Sequence, residues 1–139
     1  MFRTADGAGV EKIFLCGITP TPLDAFGNVR SSFAKVALGA EHTVPWEYRK
    51  STVRLMGSLK KQGYMIYAIE QSDRSIRYTD IAEPPEKCAC IMGPEVDGLP
   101  DAIVSRADDV LEIPMRGEKE SLNVSVSFGI VAYQLCRKK

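Results

Sequence analysis

Histidine is almost missing from this 139-residue chain, His42 being the only one. That removes the helpers from which a His-based metal cluster or a Ser-His-Asp triad is assembled. No metal site is expected, and His42 reads as a solvated loop residue. Cysteine is sparse too, at Cys16, Cys88, Cys90 and Cys136, and no two of them form a C-x-x-C pair. On a strand Cys88 and Cys90 share a face without the spacing of zinc ligands. Buried free thiols in a reducing cytosol fit this pattern better than metal or disulfide chemistry. Long hydrophobic runs are absent: nothing approaches the roughly 18 consecutive apolar residues of a membrane span. The first residues also lack the basic-then-apolar order of a signal peptide. A cytoplasmic location without a membrane partner is therefore expected. Nor is either charge in excess, since 18 Lys+Arg balance 18 Asp+Glu. This balance excludes indiscriminate coating of nucleic acid by bulk charge, so a polyanionic partner needs a local basic patch.

What is present describes one globular domain. Apolar residues make up 45% of the chain and charged residues 26%, which excludes general disorder. At 15.3 kDa a chain buries roughly two-thirds of the surface it exposes when unfolded, enough for a single core. Short apolar runs at 13–18, 64–69, 87–92 and 109–113 have the look of strands buried on both faces. Between and after them, 31–40, 45–62, 99–106 and 123–137 are predicted helices, the second with Pro45 early in its first turn and Gly63 just past its end. Strand-helix alternation predicts an α/β fold, a mainly parallel sheet flanked by helices. The longest non-periodic connection, 72–85, lies mid-domain. The chain opens on a polar turn or helix start, and Asp6-Gly7-Ala8-Gly9 follows no strand, so it is no dinucleotide fingerprint.

Two segments place Gly, Pro and small polar residues at strand ends, where α/β sheets bind ligands. One is Ile91-Met92-Gly93-Pro94-Glu95-Val96-Asp97-Gly98-Leu99; the other runs from Ile113-Pro114-Met115 through Gly117 to Ser121-Leu122-Asn123-Val124-Ser125-Val126. Gly93, Gly98 and Gly117 permit positive φ or close backbone approach. Ser121 and Asn123 have the chemistry of helix caps and equally offer hydroxyl and amide groups at a helix start.

Together these segments resemble the second and third motifs of the SpoU/TrmH branch of the SPOUT RNA methyltransferases. Phe2-Arg3-Thr4-Ala5-Asp6-Gly7-Ala8-Gly9-Val10 resembles the second half of the first motif, and the likeness covers essentially the whole chain in order. The resemblance implies a SPOUT-type domain with a C-terminal trefoil knot, a homodimer with the C-terminal helix in its interface, and S-adenosyl-L-methionine as cofactor. The implied reaction is methylation of a ribose 2′-hydroxyl in RNA, tRNA or rRNA. By motif position the cofactor contacts fall on Glu70, Gln71, Gly93, Ile113, Met115 and Leu122, with apolar walls from Ile113, Met115 and Leu122. The catalytic positions are Arg3, Glu95, Ser121 and Asn123. Arginine is a poor base, holding its proton to a pH above about 12, so Arg3 reads as holding the adjacent phosphate and stabilising the developing alkoxide. Asn123 and Ser121 orient the ribose, Glu95 positions Arg3 or fixes its loop, and Ser125 is structural.

The family's motif begins with an Asn and a strand before the Arg, and neither is in this chain. One strand is therefore expected to be missing, by a start assigned at an internal Met rather than by a natural fragment. The stripe Val124, Phe128, Val131, Leu135 serves a core or a dimer contact equally. RNA binding falls on Arg3 and Arg30 and on a basic arc of Arg49, Lys50, Arg54, Lys60 and Lys61, with the tail from Arg137 to Lys139. A non-catalytic knotted RNA-binding or dimerisation module is the alternative reading.

Overall fold

The structure is a computed structural model and describes residues 1–94 and 96–137. Helix α1 (Phe2–Ala8) opens the chain and stops at Gly9, whose φ of 75° lets the last turn close on itself. Strand β1 (Ile13–Cys16) follows, then a 14-residue excursion, 17–30, pinned by a Leu23–Val29 bridge. Helix α2 (Ser31–Ala37) fills most of the predicted 31–40 helix, and a separate short helix α3 (Ala40–Thr43) starts at its last residue and runs past it. The break between them falls at Leu38 and Gly39, both at positive φ, 50° and 91°. His42 lies on the short helix α3 rather than in a loop, and it is exposed.

The predicted 45–62 helix is two elements. Trp46–Arg49 is strand β2, paired in parallel with β1 from Ile13↔Trp46 to Cys16↔Arg49. Helix α4 (Thr52–Lys61) begins only after Ser51, whose hydroxyl accepts from Arg54 N at 3.3 Å. Two aromatic side chains, Trp46 and Tyr48, alternate with charged ones, a strand pattern that the early proline masked. Within α4 the helical spacing of Leu55, Met56 and Leu59 holds, and Met56 is buried against Ile66 and Ile103.

Strands β3 (Met65–Ile69), β4 (Ile76–Arg77), β5 (Cys88–Met92) and β6 (Asp109–Glu112) form a second, all-parallel sheet in the order β4-β6-β3-β5. The 72–85 connection thus contributes an edge strand and a 3₁₀ turn, Tyr78–Asp80. Helix α5 (Asp101–Val104) is the core of the predicted 99–106 helix, and α6 (Val124–Leu135) that of 123–137. Ile66, Tyr67 and Ala68 of β3 are fully buried because strands flank them on both sides and helices cover the faces. Asp108 fastens α4 to this sheet, accepting from Lys60 Nζ at 2.7 Å and from Ile66 N at 2.8 Å. Desolvation pushes its carboxyl upward, but those two donors outweigh it and hold the group below its usual range.

The stripe on α6 is core: Phe128, Val131, Ala132 and Leu135 are buried. Through it α6 lies against β5 and reaches the 3₁₀ turn region, where Gln134 Nε2 and Arg137 Nη2 donate to Ile81 O at 3.1 and 3.3 Å. Helix α1 crosses α6 at two glycines: an added Cβ on Gly7 would stand 3.0 Å from Tyr133 Oη, and one on Gly129 would stand 3.3 Å from Thr4 Cγ2. Leu15 of β1 is buried in the cluster that α1 and α6 build, and Ile13, Trp46, Cys90 and Met92 pack against it. The two sheets therefore share one core but no hydrogen-bonded edge. All four cysteines are half-buried thiols outside any disulfide, and burial pushes the Cys90 thiol up to about 12. No helix among the described residues is long and apolar enough to cross a membrane.

Candidate active site

Parallel strands send their carboxyl ends to one edge of a sheet, and the loops leaving that edge are its natural ligand site. Here β3, β5 and β6 are followed directly by Glu70, Gly93 and Ile113 at neighbouring strand ends. The structure thus brings together Glu70, Gln71, Gly93 and Ile113 of the anticipated cofactor set, with Met115 and Leu122 further along the loop that leaves β6. Ile113 packs on the cluster of Tyr67, Leu111, Val131 and Leu135. Ile113, Met115 and Leu122 are all half-buried, as an apolar wall open to a ligand requires.

Close packing fixes the loop after β5. An added Cβ on Gly93 would lie 2.7 Å from Gly98 C and 2.8 Å from Leu99 N, so no larger residue fits there. Gly98, at φ 65°, would place a Cβ 2.5 Å from Glu70 Oε2. That same oxygen accepts from Leu99 N at 2.8 Å, and Oε1 accepts from Gln71 N at 3.0 Å. Gln71 turns to the other loop, its Nε2 donating to Glu120 O at 2.8 Å. Behind them Ser75 Oγ donates to Glu112 Oε2 at 2.6 Å, and the Ser72 hydroxyl is buried with no partner among the described residues. Ser72 and Ser75 escaped the sequence reading, and only their place after a strand end marks them; Leu99 and Glu120 lie inside the two motif segments but carry no role from sequence.

Asn123 is the cap of α6, its side chain accepting from Ser125 N at 2.8 Å, and Ser125 takes the structural place expected of it. Ser121 is exposed at the end of the same loop. Glu95 lies outside the described residues, as do Lys138 and Lys139 of the tail. Arg3 sits elsewhere: it is exposed on α1 and lines a cavity of about 340 Å³ with Asp6 and residues 37–40 and Thr43. Asp6 accepts from Thr43 Oγ1 at 2.8 Å in that cavity.

The cations divide. Arg49, Lys50 and Arg54 line a cleft of about 530 Å³ with Ser51, Leu55 and Ser58, at the carboxyl end of β2. Arg49 also pairs with Glu47 at 2.7 Å. Arg30 is not part of the cleft lining; its Nε donates to Leu23 O at 3.2 Å within the 17–30 excursion. Lys60 is tied to Asp108 at 2.7 Å at the far end of α4, so the arc anticipated from Arg49 to Lys61 contracts to its first three members plus exposed Lys61.

Comparison with known proteins bears on this geometry. Over 137 residues the chain is 34% identical to the 23S rRNA (guanosine-2′-O-)-methyltransferase RlmB of Neisseria meningitidis, covering 99% of this chain and 52% of that one. It spans about half the length of the curated relatives it matches. Among solved structures, the AdoMet-bound rRNA methyltransferase of Sinorhizobium meliloti aligns with a TM-score of 0.86 at 26% identity, over 99% of this chain and 49% of that one. The TrmH/SpoU tRNA modifying enzyme of A. aeolicus aligns with a TM-score of 0.81 at 26% identity, over 99% and 66%. The model of the SpoU rRNA Methylase family matches residues 1–133, from the arginine-bearing first helix through the strand-end loops to α6, and the chain belongs to that family.

Proposed function

We propose that residues 1–139 act as one methyltransferase domain that moves a methyl group from S-adenosyl-L-methionine to a ribose 2′-hydroxyl of RNA, tRNA or rRNA, in the cytoplasm. The observation that carries this reading is the convergence of the 91–99 and 113–123 segments on Glu70 and Gln71 at one sheet edge. That edge suits the cofactor: Ile113, Met115 and Leu122 offer apolar walls to the adenine, Gly93 and its loop offer main-chain groups, and the unpartnered Ser72 hydroxyl offers a polar contact. When bound, S-adenosyl-L-methionine supplies an electrophilic methyl on its sulfonium.

The chain's own work is positioning. Arg3 holds the phosphate beside the target ribose and stabilises negative charge as the hydroxyl loses its proton. Ser121 and Asn123, at the start of α6, orient the ribose, and Glu95 steadies Arg3 or its own loop. Arg49, Lys50 and Arg54 take further phosphates of the RNA, three cations lining one cleft with no acidic residue among the described residues of its wall. The relatives are named as transferases, which favours catalysis over a non-catalytic binding module.

Three further features complete the reading. A homodimer forms through the outer face of α6, where Val126 and Tyr133 are exposed one above the other. The C-terminal segment is knotted, consistent with α6 running back across β5 to Ile81. One more parallel strand belongs between β1 and β5, because both edges lie over the same core and every residue of β5 is only half-buried.

The test is transfer of labelled methyl from S-adenosyl-L-methionine to total RNA, with the product scored for resistance to alkali at the modified nucleotide. Arg3→Lys is expected to keep cofactor binding and lose about 100-fold in turnover. Full turnover by that variant contradicts the role given to Arg3, and absence of label with the natural enzyme contradicts the function.

A further inference from the structure

Strand β3 lies between β6 and β5, and the two residues that follow it reach the loops of both neighbours. Glu70 engages one loop with a charged acceptor: Oε2 takes Leu99 N at 2.8 Å while Oε1 takes Gln71 N at 3.0 Å. Gly98 leaves the room that this carboxylate occupies, since a Cβ there would stand 2.5 Å from Oε2. Gln71 engages the other loop with a neutral donor, Nε2 to Glu120 O at 2.8 Å. Both carboxylate oxygens of Glu70 already face main-chain N–H groups.

We propose that Glu70 and Gln71 are positioning residues, a two-armed clamp that presets the 93–100 loop through Glu70 and the 113–123 loop through Gln71 before any ligand arrives. A loop ordered in advance does not subtract its ordering entropy from ligand affinity. The charge-assisted arm, Glu70 to Leu99, is the stronger one. Gly98 and Glu70 are a matched pair, because a side chain at 98 and a carboxylate at 70 compete for one place. The link to affinity rests on the cofactor reading of these loops, whereas the clamp itself does not.

The experiment is amide hydrogen exchange on the ligand-free full chain, together with calorimetric binding of S-adenosylhomocysteine, for the natural protein and for Glu70→Ala, Glu70→Gln and Gln71→Ala. Glu70→Ala is expected to speed exchange about tenfold at Leu99 and its loop and leave 113–123 unchanged. Gln71→Ala is expected to do the reverse. Each weakens S-adenosylhomocysteine binding about tenfold, with Glu70→Gln, which keeps a single acceptor, in between. Gly98→Ala weakens binding, and Glu70→Ala in the same chain restores part of the loss, the part due to strain at φ 65° remaining. If Glu70→Ala fails to fold, Glu70→Gln carries the same loop-specific expectation at smaller size. Equal acceleration of both loops by either variant, unchanged exchange in both, or strict additivity of the 98 and 70 substitutions overturns the clamp. Failure of the natural protein to bind S-adenosylhomocysteine overturns the proposed function instead, and the exchange pattern still decides the clamp.

Discussion

The two sheets are both parallel, yet they are built to different standards. In the four-stranded sheet Ile66, Tyr67, Ala68, Val110 and Leu111 are all at most 2% exposed, and the loops at its carboxyl edge are bound to one another by side chains. In the two-stranded sheet Leu15 is the buried residue and, among the described residues, neither strand has a second partner; the carboxyl edge carries Arg49 and Lys50 beside an excursion whose Ile18 and Phe26 stand in solvent. One edge joins half-buried apolar residues to loops tied by Glu70 and Gln71, as a small-molecule cleft should. The other is cationic and open, as a surface for a large polyanion should be. The difference teaches how a chain of zero net charge can still carry a local cationic group: Arg49 and Lys50 stand together at one edge, whereas Arg116 and Lys119 at the other are interleaved with Glu118 and Glu120.

The sharpest way to probe this contrast is to hollow out each sheet in turn. Leu111→Ala, in a site walled on all sides, should cost about 4 kcal/mol in denaturant unfolding, whereas Leu15→Ala, in a sheet free to relax, should cost about 2 kcal/mol. Equal costs would mean that the two sheets are equally well packed. Next in size, Gly93→Ala should cost about 1–3 kcal/mol and displace the 93–100 loop, because its Cβ meets backbone at 2.7 Å. Gly117→Ala, whose Cβ meets nothing within 4 Å, should change stability by less than about 0.5 kcal/mol. Thermal unfolding checks both. The smallest effect is at Asp108, whose carboxyl is held below its unfolded value near 3.9. Its contribution is present above about pH 4 and fades as pH falls through the lower folded value. Asp108→Asn should therefore flatten the acid limb of a stability profile and lower the neutral plateau by a constant amount, without adding a slope near pH 7.

How much of this was legible in the sequence differs between the sheets in the same way. The central strands of the larger sheet announced themselves as apolar runs, since burial on both faces demands apolar residues throughout. Strand β2 did not, because Trp46 and Tyr48 alternate with Glu47 and Arg49 on a half-exposed sheet, and the pattern blends into the helix that follows. Leu38 hid the break between α2 and α3, since nothing in a leucine signals positive φ. Of the three glycines that sequence marks at the strand ends, Gly93 shows close packing and Gly98 a positive φ, while Gly117 shows neither; the partner that makes Gly98 necessary, Glu70, is 28 residues away in sequence, where pattern has no reach. Lys60 reads from sequence as part of the basic RNA-binding arc because its partner Asp108 lies 48 residues on.

Initial rates of methyl transfer, measured while RNA and S-adenosyl-L-methionine are varied independently, test the division of labour most directly. Arg49→Ala with Arg54→Ala is expected to raise the RNA KM, lower the salt slope of RNA binding by about 0.7 per lost phosphate contact, and leave the cofactor KM unchanged. Glu70→Ala is expected to raise the cofactor KM and leave the RNA KM and its salt slope unchanged. Both constants moving together in either variant would contradict a molecule that keeps its small ligand at one sheet edge and its polyanion at the other.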